Sequence, residues 1–362
     1  MTGLKFLDGF KKSIAKIDTI NSGLGEPQTW ISTGNYALNR SLSGDFTKGI
    51  PLGRITLFAG PPGAGKSFIS SNCMKEAQDE GFHLLVLDSE NAIDIDFLTK
   101  IGVDISEDGL TYFQVTTIED VNRICSEFFQ AYIKAYGKNN SDGPKILLVI
   151  DSLAMLSTTT EFDNYAKDGT IKSDQGIRAK RSKSMLRMIV GSIARLPIAC
   201  ICTDHVYPQD IMLGDGAWAI TNSTKYSSSI IGLVTKLKLK DEKDVIGVRM
   251  RFETYKSRFA RLGTKIELEV PYNTGMSPFS GLVDMLVDMG VIAKGTQVGE
   301  KTKYICEVDG QRLAFKDGDL TEEMCQLIFK HPKATPVVIS PDTDMDPEDF
   351  EVSLIEETEG EE

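Results

Sequence analysis

The chain is poor in several things that would direct a reading elsewhere. Its six cysteines show no C-x-x-C spacing. Cys200 and Cys202 alternate within an apolar run, the pattern of buried thiols in a reducing compartment rather than of a disulfide framework. Histidine occurs only at positions 83, 205 and 331, too few and too scattered for a metal site. No apolar run approaches the roughly 20 residues of a membrane span. The first 16 residues mix lysine with scattered Phe and Ile and lack the apolar stretch and cleavage site of a secretion signal. No internal repeat is present. Basic residues are missing altogether from 341–362, which carry 11 acidic residues. Without that tail the balance is 40 basic against 41 acidic residues, so the net charge of −12 belongs to the tail and not to the body. A hydrophobic content of 41% and a charged content of 25% over 362 residues are those of a soluble globular chain with room for one large core and a smaller domain.

What is present is dominated by residues 54–67, Arg-Ile-Thr-Leu-Phe-Ala-Gly-Pro-Pro-Gly-Ala-Gly-Lys-Ser. Residues 55–59 read as a buried strand and 68–77 as a helix. Between them stands the complete pattern G-x-x-x-x-G-K-S, in the strand–turn–helix setting that a phosphate-binding loop requires. Gly60, Gly63 and Gly65 let backbone N–H groups turn inward around phosphate oxygens, and the start of the helix adds its positive dipole end. Lys66 is expected to reach the β- and γ-phosphates and Ser67 to place a hydroxyl on Mg²⁺. An ordinary glycine turn is the simpler alternative, against which the full pattern and its flanks argue.

Apolar runs and helical periodicities then alternate. Runs at 84–87, 110–115, 145–150 and 197–203 are separated by helical patterns at 118–136 and 175–195. This alternation predicts an α/β fold with a mostly parallel central sheet covered by helices. Period-two segments at 229–239, 245–255 and 264–270 are expected to extend it as antiparallel strands, and 280–289 as a helix. Residues 31–53 read as a turn-rich lead-in. Before them lies a weakly amphipathic arm, which either packs on its own body or docks on a neighbouring subunit.

Ligands of such sheets bind beyond the carboxyl ends of the strands. There stand the phosphate loop, Glu90, Asp151 and His205. Asp151 has the form of the acid that holds Mg²⁺. Glu90 is a candidate to activate water, with a helix cap or surface carboxylate as the plainer alternative. His205 is a candidate γ-phosphate sensor, although lone histidines are more often structural. Two long polar stretches, 152–174 and 206–224, leave the same strand ends. The first leads into Arg178, Lys180, Arg181, Lys183 and Arg187. Lys180, Lys183 and Arg187 share one helix face, either a solvated surface or a strip for nucleic-acid phosphates.

These residues together resemble the RecA-type recombinases, most closely their phage UvsX branch, from residue 31 to about 292. The resemblance rests on Ile31-Ser-Thr-Gly34 and Gly49-Ile-Pro-Leu-Gly-Arg54, on Leu87-Asp-Ser-Glu-Asn-Ala-Ile-Asp94, on Thr203-Asp-His205, on Lys256-Ser-Arg258 and on Ser277-Pro-Phe-Ser-Gly-Leu-Val-Asp284. It implies a RecA-like ATPase core over 31–275, an N-terminal polymerisation arm over 1–30, a small C-terminal region over 276–340 and an acidic disordered tail over 341–362. It implies ATP and Mg²⁺ as cofactors. The nucleotide contacts would be Gly60, Pro61, Pro62, Gly63, Ala64, Gly65, Lys66, Ser67 and Phe68, with Asp94 and Phe97 at the adenine. Ser67 and Asp151 would hold the metal. Glu90, Lys66 and His205 would act in catalysis, joined by Lys256 and Arg258 from the next subunit. DNA would meet Lys167, Lys172, Arg178, Lys180, Arg181, Lys183 and Arg187, with Ile211 and Met212 wedged between bases.

The implied activity is a DNA-dependent ATPase that forms a helical filament on single-stranded DNA, pairs it with duplex DNA and exchanges strands in recombination and repair. A single-strand-binding protein and a mediator are the implied partners. The implied place is the cytoplasm, that of a host cell if the chain is phage-encoded. A hexameric helicase of the same core and a non-hydrolysing scaffold are the alternatives. The second DNA loop departs from the family's glycine-rich run, with Gly214-Asp-Gly-Ala-Trp-Ala219 in its place, and 293–340 matches poorly.

Overall fold

A computed structural model describes Phe10 and residues 26–91, 93–137, 143–169, 175–208, 218–237, 246–298, 301–316 and 318–335. The expectations for most of the arm, for Lys172, Ile211 and Met212, and for the acidic tail lie outside the described residues.

Eight strands form the central sheet: β1 (Ile55–Gly60), β2 (His83–Asp88), β3 (Leu110–Gln114), β4 (Ile146–Asp151), β5 (Ile198–His205), β6 (Ile230–Lys236), β7 (Gly247–Ser257) and β8 (Lys265–Pro271). Their spatial order is β8-β7-β6-β1-β5-β4-β2-β3. From β6 to β3 every neighbouring pair is parallel, and β7 and β8 run antiparallel at the far edge. One expectation needs correcting here. The segment containing β6 was to be antiparallel, but β6 lies parallel to β1 and only its other side takes an antiparallel partner. Its period-two pattern could not carry that distinction, because alternation reports faces and not strand direction.

The helices are α1 (Tyr36–Ser43), α2 (Lys66–Asp79), α3 (Ile95–Lys100), α4 (Ile118–Tyr136), α5 (Thr159–Asp168), α6 (Gln175–Ile193), α7 (Asn222–Ser227), α8 (Leu282–Asp288) and α9 (Glu322–Ile328). The inner parallel strands β1, β2 and β4 are almost wholly apolar because both faces are covered, whereas the edge strand β3 is half polar and largely exposed. Phe58, Val86, Leu147, Val149 and Ile201 point into one core with Ile69 and Met74 of α2. Leu57, Leu85, Leu148, Ile150 and Cys200 point into the other with Val121 of α4 and Ile189 of α6.

Two stretches expected to be turn-rich or polar contain helices. Asn35 caps α1 by accepting from Leu38 N, and left-handed Gly44 ends it. Thr158 and Glu161 form a capping box that starts α5. Beyond α8, strands β9 (Ala293–Val298), β10 (Lys301–Val308) and β11 (Gln311–Lys316) form a small antiparallel sheet. It shares the first core: Phe329, after α9, stacks on Phe46 at 4.0 Å and meets Tyr36 edge-on at 5.1 Å.

Candidate nucleotide and nucleic-acid site

β1 ends where the backbone of β6 passes so close that a Cβ on Gly60 would lie 2.1 Å from the Val234 carbonyl oxygen. Only glycine fits that position, so the chain turns away from the sheet there. Gly65, at φ 104°, then holds the left-handed conformation from which α2 starts. The Lys66 side chain folds back over the loop, donating to the carbonyls of Gly60 at 3.0 Å and Pro61 at 3.1 Å. Burial lowers the pKa of this ammonium, opposed by the nearby carboxylates of Glu90, Asp151 and Asp204.

The parallel order brings the other strand ends alongside. Gly60 is level with His205, and Asp88 with Asp151. Asp151 is buried, with its pKa raised by that burial, and accepts hydrogen bonds from Thr203 and Ser67. A hydroxyl and a carboxylate in contact are the hard oxygen donors that Mg²⁺ prefers. Among the described residues no group of three or more His, Cys, Asp or Glu side chains makes a protein cage for a metal. Two protein oxygens fit an ion that takes its remaining ligands from phosphates and water.

Glu90 is held from two sides. His205 Nε2 lies 2.9 Å from Glu90 Oε1, and Ser152 Oγ donates to the same oxygen. The Ser89 hydroxyl bridges to Ser152, accepting from its N–H at 2.9 Å and donating to its carbonyl at 2.6 Å; the Asp151–Ser152 peptide bond is cis. The turn carrying Glu90 is organised by Asp88, which is buried at the end of β2. One oxygen of its carboxylate accepts from the N–H groups of Glu90 and Asn91 at 2.9 and 2.8 Å, and the other from Tyr112 Oη at 2.9 Å.

Phe97, expected at the adenine, is only 3% exposed and meets Phe68 edge-on at 4.8 Å, because it lies on the core-facing side of α3. The half-buried rings beside α2 are Phe68 and Tyr272, 5.5 Å apart. Tyr272 escaped the sequence reading. Asp94 caps α3, accepting from Phe97 N at 2.9 Å. Asp204 also escaped, although it lies inside the Thr-Asp-His triplet. It is 4% exposed, and burial pushes its pKa up to about 6 against the pull of the His205 N–H, Lys66 and Arg178.

The basic helix divides. Arg178 donates to the Ala154 carbonyl and Arg181 forms a partly exposed ion pair with Glu119 at the start of α4, so both guanidinium groups, expected in a phosphate strip, have protein partners here. Lys180, Lys183 and Arg187 are exposed and have no partner among the described residues; Lys167, on α5, is exposed as well.

Lys256 and Arg258 stand elsewhere. Ser257 between them pairs with Ile230, which pairs with Thr56. They therefore lie at the amino end of β1, about 13 Å along the sheet from Gly60 at about 3.3 Å per residue. Lys256 donates to the carbonyls of Lys225 and Ser228, both at 2.7 Å, and its pKa is lowered by burial and by the charges of Arg258 and Lys225. Arg258 is exposed.

Comparison with known proteins agrees with this geometry. Residues 10–277 match the RecA N-terminal domain. Protein RecA of Heliobacterium modesticaldum is 30% identical over 271 residues, 73% of this chain and 71% of that protein. Protein RecA of Chlorobium chlorochromatii is 28% identical over 267 residues, 73% and 70% of the two chains. Protein RecA of Corynebacterium glutamicum is 27% identical over 316 residues, 84% and 77% of the two. A phosphate loop beside a Glu90–His205 pair, on a sheet of this order and within a match of this extent, makes this chain a member of the RecA family, a RecA-type DNA recombinase.

Proposed function

We propose that the chain is an ATP-dependent recombinase of the phage UvsX-like branch, assembling on single-stranded DNA into a helical filament with ATP between subunits. The observation that carries this reading is the separation within one subunit of the phosphate loop from the Lys256–Arg258 pair, at opposite ends of β1. A cation cluster that cannot meet its own subunit's phosphates is suited to those of a neighbour. Its like charges repel one another, and an adjacent polyanion would offset that repulsion.

On this reading the loop amides and Lys66 bind the phosphates, and Ser67 and Asp151 hold Mg²⁺, which when bound neutralises charge on the β- and γ-oxygens. Lys66 exchanges two backbone carbonyls for phosphate oxygens. Glu90 orients and deprotonates the attacking water once His205 turns from it to the γ-phosphate. Arg258 and Lys256 of the adjoining subunit stabilise the charge of the transferring group, so that hydrolysis depends on assembly. Phe68 and Tyr272 offer ring surface to the adenine. Lys180, Lys183 and Arg187 grip phosphates without reading sequence, which is left to base pairing. His205 and the basic helix support the phage branch. A single-strand-binding protein and a mediator are the partners that the branch implies.

Electron microscopy with single-stranded DNA and a non-hydrolysable ATP analogue tests the reading. Open helical filaments are expected. Closed rings would return the helicase alternative, which the RecA relatives do not favour, and no polymer at all would overturn the assembly.

A further inference from the structure

Asp88 holds the turn that carries Glu90, and Asp88 is itself held from the neighbouring strand. Its side chain is 1% exposed and its carboxylate accepts from four donors. Three of them, the N–H groups of Glu90, Asn91 and Ile93, belong to the turn. They tie the turn to the carboxylate but not the carboxylate to the sheet. The fourth is Tyr112 Oη, at 2.9 Å, from the edge strand β3. Tyr112 is level with Val86, two residues before Asp88, and so lies on the same face of the sheet as Asp88. Two residues of strand advance about 6.6 Å, a gap that the length of a tyrosine side chain spans. Tyr112 is 37% exposed, so burial of its ring is not what holds the edge strand in place. The turn needs a fixed point, because Asn91 is left-handed at φ 52°, a conformation uncommon outside glycine. At its other end Glu90 meets His205 Nε2 at 2.9 Å and the Ser152 hydroxyl.

We propose that Tyr112 is a positioning residue for ATP hydrolysis, fixing Glu90 through Asp88. The inference rests on the reading of Glu90 as the group that activates water, and adds that the edge strand sets where that group stands. Phenylalanine at 112 keeps the ring but removes the one side-chain hydrogen bond that ties the Asp88 carboxylate to the sheet. The carboxylate is then free to rotate with its turn, and Glu90 moves with both. A misplacement of about 1 Å at a reacting group can cost about 10²-fold in rate. Tyr112 and Asp88 hold the turn and not the phosphate loop, so affinity for ATP should be kept.

The test measures DNA-stimulated ATP hydrolysis by the full chain for wild type, Tyr112→Phe, Glu90→Gln and the double variant, with single-turnover reactions for the slow proteins. Tyr112→Phe should lower kcat about tenfold or more, with KM for ATP and affinity for single-stranded DNA within about twofold of wild type. In the Glu90→Gln background the same change should lower the residual rate by less than about twofold, because no base is left to misplace. Hydrogen exchange at the amides of Glu90 and Asn91 should quicken in Tyr112→Phe while the amides of β2 keep their protection. Unchanged kcat in Tyr112→Phe, with Glu90→Gln inactive, would overturn the role of Tyr112 and leave that of Glu90 standing. So would a full tenfold loss in the Glu90→Gln background, which would show that the phenol acts by another route. If Glu90→Gln hydrolysed ATP as wild type does, the reading of Glu90 would fail and the positioning inference with it.

Discussion

Lys66 and Lys183 are both proposed to meet phosphate, yet the fold treats them oppositely. Lys66 is buried, donates to two loop carbonyls and is surrounded by Glu90, Asp151 and Asp204. Lys183 is exposed on α6 with no partner among the described residues. The contrast extends to their surroundings. Around Lys66 nearly every polar atom has a partner, down to the four donors on Asp88. Chemistry on a phosphoryl group depends on atoms placed to within fractions of an ångström, so that rim is assembled before the ligand comes. Grip on a polymer depends on charge, which acts over a Debye length of about 8–10 Å and needs no fixed rotamer.

The largest test of the contrast lies at neither lysine but at Arg258. If it completes a neighbour's site, Arg258→Ala should lower DNA-stimulated ATP hydrolysis by about 10³–10⁵ while ATP binding to the isolated subunit is unchanged. Mixing that variant with a Lys66→Ala protein should restore part of the rate, because mixed junctions then contain one intact phosphate loop and one intact arginine. Absence of any rescue would place Arg258 outside the trans role.

Next in size is Glu90→Gln. The amide keeps the shape and can still meet Ser152 and His205, but it cannot take a proton. Turnover should fall by about 10²–10⁴, the usual contribution of a positioned base, with filament formation on DNA retained. Turnover within a few-fold of wild type would leave Glu90 the plain surface carboxylate of the alternative.

Asp204 gives an effect on stability instead. Its carboxyl binds a proton more tightly folded than unfolded, with a value of about 6 against an ordinary 3.8. The folded state is therefore favoured below about pH 4, and that contribution is lost as the pH rises through about 6. Asp204→Asn should stabilise the nucleotide-free chain at pH 7 by up to about 3 kcal/mol and leave it unchanged near pH 4, read from urea midpoints across that range. A gain independent of pH would show that packing, not charge burial, sets the difference.

The same division marks what could be read from the chain beforehand. The mostly parallel sheet and the meeting of Lys66, Asp151, Glu90 and His205 at one edge follow from apolar runs that end in polar residues, a signal local to each strand; the order of the strands does not. What escaped depends on contacts between segments distant in sequence. Asp204 takes its importance from Lys66 and Arg178, and Tyr272 from Phe68. Phe97 was placed at the adenine by resemblance alone, and a matched position does not say which side of α3 meets the core. Helix α5 was hidden because its stretch has no apolar stripe, only a capping box, and a search for periodicity passes over it.

The smallest effects distinguish two neighbours on α6. Arg181 and Lys183 are two residues apart and carry the same charge, but Arg181 is paired with Glu119 and Lys183 is not. Lys183→Gln should reduce the slope of log K against log salt for single-stranded DNA by about 0.7, the loss of one released counterion, with folding unaffected. Arg181→Gln should leave that slope alone and cost less than about 1 kcal/mol of stability, since the pair it breaks is half exposed and screened by solvent. If both variants lowered the slope equally, Arg181 would leave Glu119 when DNA binds, and the strip would be continuous along the helix after all. If neither did, the exposed lysine would be only a solvated surface residue, and the grip on DNA would have to come from another face.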